Sequence, residues 1–276
     1  MVIPTLNEAA NLPHVLPQIP DFVDEVVLVD GHSKDATIEI ARAIRPDIRI
    51  VLQDRRGKGN ALACGFAAAA GDIIVMLDAD GSTDPNEIPR FVDALLEGND
   101  FAKGSRYTQG GGSLDITPLR ATGNRALAVA VNLLFRTRYT DLCYGYNAFW
   151  RHCLPYMDVT CDGFEVETLI HVRIARAGLA VAEVGSVEHP RLHGESKLNA
   201  LSDGLRVLRT IVRERVRQRR FQRHSHDAWR PSFRELAPEE GVALALHSAS
   251  EARHEIHSHG AGALTELSPS VSAARP

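Results

Sequence analysis

The chain has 276 residues, 44% apolar and 24% charged, which is enough to bury the core of one large domain with a tail to spare. Its formal net charge of −4 provides no overall basic field of the kind that draws nucleic acid. The four cysteines, Cys64, Cys143, Cys153 and Cys161, are scattered without a C-x-x-C pair, which argues against a disulfide framework or a zinc site and for a reducing, cytoplasmic setting. In chain order, Val2-Ile3 opens a strand, followed by a helix over 7–16 with Asn7 near its N-cap, a strand at 25–29 (EVVLV) and a helix at 33–44. A strand at 48–52, a small-residue helix at 59–70 and a strand at 72–77 (DIIVML) continue the alternation. Strands alternating with helices at this spacing predict βαβ crossovers and a mostly parallel, Rossmann-like sheet flanked by helices.

Residues 101–149 are less regular and include the run Gly110-Gly111-Gly112. Helices are expected at 122–135 and 164–177, a strand at 180–184, and a long helical segment at 198–223. From about His224 the composition shifts: six of the twelve histidines fall there among Ser, Ala, Gly and Pro, with little periodicity. Residues 1–223 are therefore expected to form the domain and 224–276 a disordered tail. No leader is visible, because Met1 runs directly into a strand. No apolar run approaches the roughly 18–20 residues that span a bilayer; 126–135 (ALAVAVNLLF) is short and contains Asn132.

The stretch VMLDADGSTDP (75–85) sets an apolar strand against Asp78, Asp80 and Asp84. Such a cluster is either a surface turn, for which Asp, Gly, Ser and Pro are suited, or a divalent-cation site that shares a hard metal with substrate phosphates. In parallel sheets ligands bind beyond the carboxyl ends of strands. Asp30 follows EVVLV as Asp78 follows DIIVML, so both acids are expected on one rim. That coincidence favours the ligand site. Asp84 is expected to cap the next turn, and Asp35 with Thr37 to cap a helix.

The motifs PTLNEAANL (4–12), VDGHSKDAT (29–37), GKGNAL (57–62), DADGSTDP (78–85), GSRY (104–107), DLCYGYNAF (141–149), GFEVE (163–167) and HGESKL (193–198) occur in that order. Together they resemble the family 2 glycosyltransferases, and within them the polyprenyl-phosphate (dolichol-phosphate) mannosyl- and glucosyltransferase branch. The resemblance covers roughly residues 1–220. It implies a GT-A fold, a GDP-mannose or UDP-glucose donor, Mg²⁺ or Mn²⁺, and inversion at the sugar carbon. Asp78 and Asp80 match the D-x-D aspartates that hold the metal, with Ser82 in a minor role. Pro4, Glu8 and Asp30 match donor-binding positions, although Gly31-His32 replaces the second acid usual after Asp30.

Lys58 is placed to approach a phosphate, and Arg106 and Arg120 match arginines assigned to the acceptor phosphate, for which a guanidinium fork is suited. Asp141 matches a position for sugar hydroxyls or, with an alcohol acceptor, base catalysis. Of Glu165 and Glu167, one is expected to face the site. A polyprenyl phosphate needs no general base, since it attacks as an anion.

In 198–223, Leu201, Leu205, Leu208, Val212 and Val216 form one stripe among Arg206, Arg209, Arg213, Arg215, Arg217, Arg219, Arg220 and Arg223. The stripe suits an anionic membrane surface or packing on the core, and the former implies a peripheral protein on the inner face of a membrane. Rival readings are the same donor chemistry with a soluble phosphorylated or hydroxyl acceptor, and a non-catalytic nucleotide-binding protein on this fold. A dinucleotide oxidoreductase lacks its G-x-G-x-x-G after the first strand.

Overall fold

The computed structural model describes residues 1–195, 199–217 and 234–235. Four short apolar strands, β1 (Val2–Thr5), β2 (Val27–Asp30), β3 (Arg49–Leu52) and β4 (Ile73–Met76), lie parallel in the order β3-β2-β1-β4. They are rich in Val and Ile, as strands buried on both faces require. The connecting helices are α1 (Leu12–Val15), α2 (Thr37–Ile44) and α3 (Lys58–Ala68), and α4 (Ile88–Leu96) follows β4. The expected α/β alternation is therefore present, with one difference near its start. Asn7 is not an N-cap: it adopts a left-handed backbone (φ 58°), its side chain accepts from the Lys34 N–H at 2.8 Å, and the helix begins only at Leu12.

The less regular stretch completes the sheet. After β5 (Phe101–Ser105), the two-residue β6 (Gly112–Ser113) and the long α5 (Pro118–Phe135), strand β7 (Asn147–Trp150) inserts antiparallel between β4 and β5. Helices α6 (Leu154–Met157) and α7 (Val166–Ala177) follow, then β8 (Val181–Gly185) parallel to β5, and β9 (Val187–Glu188) parallel to β6. A last strand, β10 (Arg234–Glu235), pairs antiparallel with the β3 edge, so two residues of the expected tail belong to the sheet. The rest of 224–276, and Arg219, Arg220 and Arg223, lie outside the described residues.

One face of the sheet packs Leu12, Val15, Ile88, Phe91 and Tyr146; the other packs Leu62, Phe66, Phe149, Met157 and Ile170. A third cluster joins α5, α7 and helix α8 (Ala200–Arg217) through Ala128, Val131, Val172, Val207 and Ile211. Helix α8 turns its apolar stripe outward. Asp203, Val207, Thr210, Ile211 and Glu214 are buried, whereas Leu201, Leu205, Leu208, Val212 and Val216 are exposed. The reading in which that stripe packs on the core is thus corrected. Glu214 is taken inside by Arg173 at 2.9 Å and by Arg176, and a buried acid left without such partners would be costly.

Beneath α7, His171 is fully enclosed. Its Nδ1 donates to the Leu142 carbonyl at 3.1 Å and its Nε2 lies 3.2 Å from the Asn147 amide. Burial, aided by the nearby Lys103 ammonium, pushes its pKa well below the ordinary histidine value. The unfolded chain therefore binds a proton near pH 6.5 that the folded chain refuses. The resulting stability is complete above that pH and drains as pH falls below it, by up to about 1.4 kcal/mol per pH unit. Comparing denaturant unfolding at pH 7 and pH 5 should show a smaller acid loss for His171→Gln than for the wild type. Equal losses would mean that His171 does not carry this dependence.

Candidate active site

The site builds on the carboxyl-end rim of β1, β2 and β4. Pro4 lies within β1 in register with Val29 of β2. Asp30, the last residue of β2, is buried, and its carboxylate accepts from the Ser33 N–H at 2.8 Å and the Ser33 hydroxyl at 2.5 Å. Glu8, past the end of β1, is also buried and accepts from the Asn11 amide at 2.6 Å. Burial raises its pKa, against the pull of Asn11 and Arg191.

Past β4 the two aspartates of the D-A-D sequence each meet a cation. The Lys58 ammonium lies 2.7 Å from Asp78 Oδ1 and 2.8 Å from Glu167 Oε1. Burial disfavours that ammonium, but Asp78 and Glu167 outweigh it and raise its pKa. Lys58 thus faces carboxylates in place of the expected phosphate. Asp80 accepts from the Ser82 N–H at 3.0 Å and pairs with Arg191 at 3.3 Å, while the same guanidinium reaches Glu8 at 3.1 Å. No motif in the sequence marks Arg191; its position two residues after His189 gives no local signal. Asp84 accepts from the Asn86 N–H at 2.8 Å and caps the turn at Pro85–Glu87, and Asp35 accepts from the Thr37 N–H at 3.2 Å ahead of α2.

Glycines make the Lys58 bridge possible. The loop before α3 docks on residues 161–163, where the Gly59 N–H donates to the Asp162 carbonyl at 2.9 Å. A Cβ on Gly57, whose φ is +92°, would fall 2.0 Å from that carbonyl oxygen. At Gly145 a Cβ would lie 2.9 Å from both Asp78 Oδ2 and Lys58 Nζ. Gly145→Ala should therefore displace the pair and lower turnover by on the order of tenfold to a hundredfold, since misplacement by about 1 Å has such cost. Steady-state release of nucleoside diphosphate measures this, and unchanged turnover would show that the pair's position does not matter.

Of the two glutamates after Gly163, Glu167 is the one that reaches Asp78's partner. It is buried, and burial raises its pKa against the attraction of Lys58. Glu165 precedes α7, half-buried, with Oε2 enclosed and unpartnered.

Arg106 and Asp141 are placed differently from expectation. Arg106 is 5% exposed and Asp141 0%. The guanidinium grips Asp141 in a fork, Nε to Oδ2 at 2.7 Å and a terminal nitrogen to Oδ1 at 2.9 Å, and it reaches both Glu188 oxygens at 3.1 Å. It also stacks 5.1 Å from the Tyr144 ring centre. Burial alone would raise the Asp141 carboxyl, but Arg106 holds it below the ordinary range. The pair ties the end of β5 to residue 141 and to β9. With its donors directed at protein acceptors, Arg106 in this state has no fork to offer an acceptor phosphate, and Asp141 none of the exposure that a base or sugar ligand needs. Arg120, in the first turn of α5, is half-buried and only loosely paired with Asp115 at 3.4 Å.

The four carboxylates Glu8, Asp78, Asp80 and Glu167 share two cations, Lys58 and Arg191. Among the described residues no group of three or more His, Cys, Asp or Glu side chains is assembled to hold a metal. Magnesium, however, commonly takes one or two protein carboxylates and completes its shell with phosphate oxygens and water, and Asp78 and Asp80 match that donor chemistry.

The largely parallel α/β sheet flanked by helices is the GT-A fold of glycosyltransferases. Residues 1–154 match the profile described as glycosyl transferase family 2, and the chain belongs to that family. It is 31% identical over 223 residues to a dolichyl-phosphate hexose transferase of Haloferax volcanii, covering 79% of this chain and 94% of that protein. It is 29% identical over 208 residues to a dolichol-phosphate mannosyltransferase of Pyrococcus furiosus, covering 72% of this chain and 58% of that longer protein. Among solved structures, glucosyl-3-phosphoglycerate synthase from Mycobacterium tuberculosis with Mg²⁺ and uridine diphosphate superposes with a TM-score of 0.60 at 27% identity, over 77% of each chain.

Proposed function

We propose that this glycosyltransferase moves one hexose, with inversion, from GDP-mannose or UDP-glucose to a polyprenyl or dolichyl phosphate at an anionic membrane surface, using Mg²⁺ or Mn²⁺. The observation that carries the donor half is the rim on which Asp78 and Asp80 stand among four carboxylates that share two cations, Lys58 and Arg191. These two would hold the ion, with Ser82 fixing Asp80 through its backbone. The ion, when bound, offsets the charge that gathers on the departing diphosphate. Lys58 keeps Asp78 oriented, Glu167 keeps Lys58 in place, and Arg191 does the same for Asp80 from the side of Glu8. Pro4, Glu8 and Asp30 line the rim where the donor's nucleoside lies.

The acceptor half rests on Asp141. The acid that an alcohol acceptor would need as a base is held ionised inside the protein by Arg106, whereas an already ionised phosphate requires no base. Arg120 is assigned to that phosphate. The relatives named as dolichyl-phosphate hexose transferase and dolichol-phosphate mannosyltransferase support the lipid acceptor. One observation favours a second reading: the superposed synthase is named for 3-phosphoglycerate, a small soluble acceptor. Among the described residues no helix is long and apolar enough to cross a membrane, so attachment at the surface is the proposed form.

The test is nucleoside diphosphate release from each donor with Mg²⁺ or Mn²⁺, in the presence of polyprenyl phosphate, 3-phosphoglycerate, or neither. Stimulation by polyprenyl phosphate is expected; stimulation by 3-phosphoglycerate alone overturns the lipid acceptor.

A further inference from the structure

Where β2 ends, the chain places Gly31 and His32 after Asp30 in place of a second acid. The fold crowds any side chain at 31, where a Cβ would lie 3.1 Å from the Thr5 carbonyl oxygen and 3.4 Å from Leu6. His32 then takes a left-handed backbone (φ 61°), which glycine adopts freely and a larger residue only at a cost. Its side chain is exposed on the rim, so burial does not account for a histidine at this position. A strained backbone that carries an exposed ring beside a ligand site points to a use for the ring.

The hydrogen bonds at this corner define that use. His32 Nε2 lies 3.0 Å from the Gln53 carbonyl, which can only accept, so Nε2 carries the proton. In the neutral ring Nδ1 is then an acceptor, and it has no partner among the described residues. Asp30 accepts from the Ser33 N–H and hydroxyl, one on each oxygen, and each oxygen keeps a further lone pair. The neighbouring donors are engaged. The Gly31 N–H is on the Thr5 carbonyl at 2.8 Å, the Gln53 side-chain amide on the Arg55 carbonyl at 2.7 Å, and the Arg55 guanidinium on Asp162 at 3.0 Å. The corner therefore offers acceptors and withholds donors.

Guanine presents adjacent N–H groups, at N1 and on its exocyclic amine, whereas uracil has one N–H between two carbonyl oxygens. Those oxygens would face acceptors here and lose their hydrogen bonds to water without replacement. We infer that the donor's base is guanine, and that His32 together with Asp30 reads its N–H edge. The inference rests on the proposed function, from which it takes the nucleoside's place on the rim.

Titration calorimetry of the full chain with GDP, inosine diphosphate and UDP, each with Mg²⁺, tests it. Wild type should bind GDP more tightly than UDP by on the order of tenfold or more. Inosine diphosphate lacks only the exocyclic amine and should bind on the order of tenfold more weakly than GDP. His32→Gly should weaken GDP by on the order of tenfold and leave UDP unchanged. His32→Asn, which keeps an acceptor oxygen, should recover part of the loss. Glycine and asparagine both accept the left-handed backbone, so Tm should hold in either variant. UDP bound as tightly as GDP, inosine diphosphate bound as tightly as GDP, or a GDP-to-UDP ratio unmoved by His32→Gly each overturn the inference. So does an asparagine variant that binds GDP no better than the glycine variant. Turnover of UDP-glucose and not of GDP-mannose would overturn guanine and leave the proposed reaction standing. No turnover of either donor with any acceptor would overturn the reaction, and the binding series would still decide the base.

Discussion

Asp78→Ala or Asp80→Ala should lower turnover by on the order of a hundredfold or more, because charge on the departing diphosphate loses its main counter-ion. The fold should survive either change. Lys58 would keep Glu167 as a partner and Arg191 would keep Glu8, so neither variant strands a cation. Both aspartates are half-buried on the rim and support none of the three apolar clusters with a large side chain. Far-UV circular dichroism and Tm should therefore stay near wild type while the rate collapses. Near-normal turnover of both variants, measured with a chelator present, would rule out the proposed metal-dependent mechanism.

Arg106→Ala should act chiefly on stability. It leaves Asp141, which is fully buried, and Glu188 without their cation, and breaking a buried pair from one side costs about 3–5 kcal/mol. For a domain of this size that corresponds to a Tm lower by roughly 6–20 °C. Arg106→Lys should recover part of it, since lysine keeps the charge but not the fork. The contribution of Asp141 has a defined pH window. Its folded pKa is lowered, so the stability is complete above the ordinary carboxylate pKa and lost as pH falls through the lowered value. A stable Arg106→Lys variant whose KM for acceptor rises more than tenfold, with donor KM unchanged, would instead return Arg106 to the acceptor phosphate.

These two expectations diverge because the sequence treats Asp78 and Arg106 alike. Each is a charged residue just past an apolar run, in a motif that resembles a family's site. For Asp78 the local pattern suffices: a parallel strand of Val and Ile ends at the rim, and the residues after it must emerge there. For Arg106 the outcome depends on residue 141 and on Glu188, 35 and 82 positions away, which no local pattern places beside it. Lys58 is an intermediate case. Its flanking glycines announce a close backbone approach, but only the packing of 161–163 shows that the approach serves Asp78 and Glu167.

By itself the sequence determined the elements whose signal is local. These are the alternating strands and helices of residues 1–100, the acids at the ends of β2 and β4, the Asp84 cap, and the stripe on α8. Period and turn chemistry act over a few residues, so they can be read there. The antiparallel insertion of β7, the burial of Arg106 with Asp141, the bridging role of Arg191 and the outward rotation of α8 were decided by the tertiary structure. Each rests on strand pairing or on buried charges finding partners far along the chain. The energy of such contacts exists only once the partners meet, which is why the sequence left the α8 stripe between a membrane surface and the core, and only the fold turned its five residues outward.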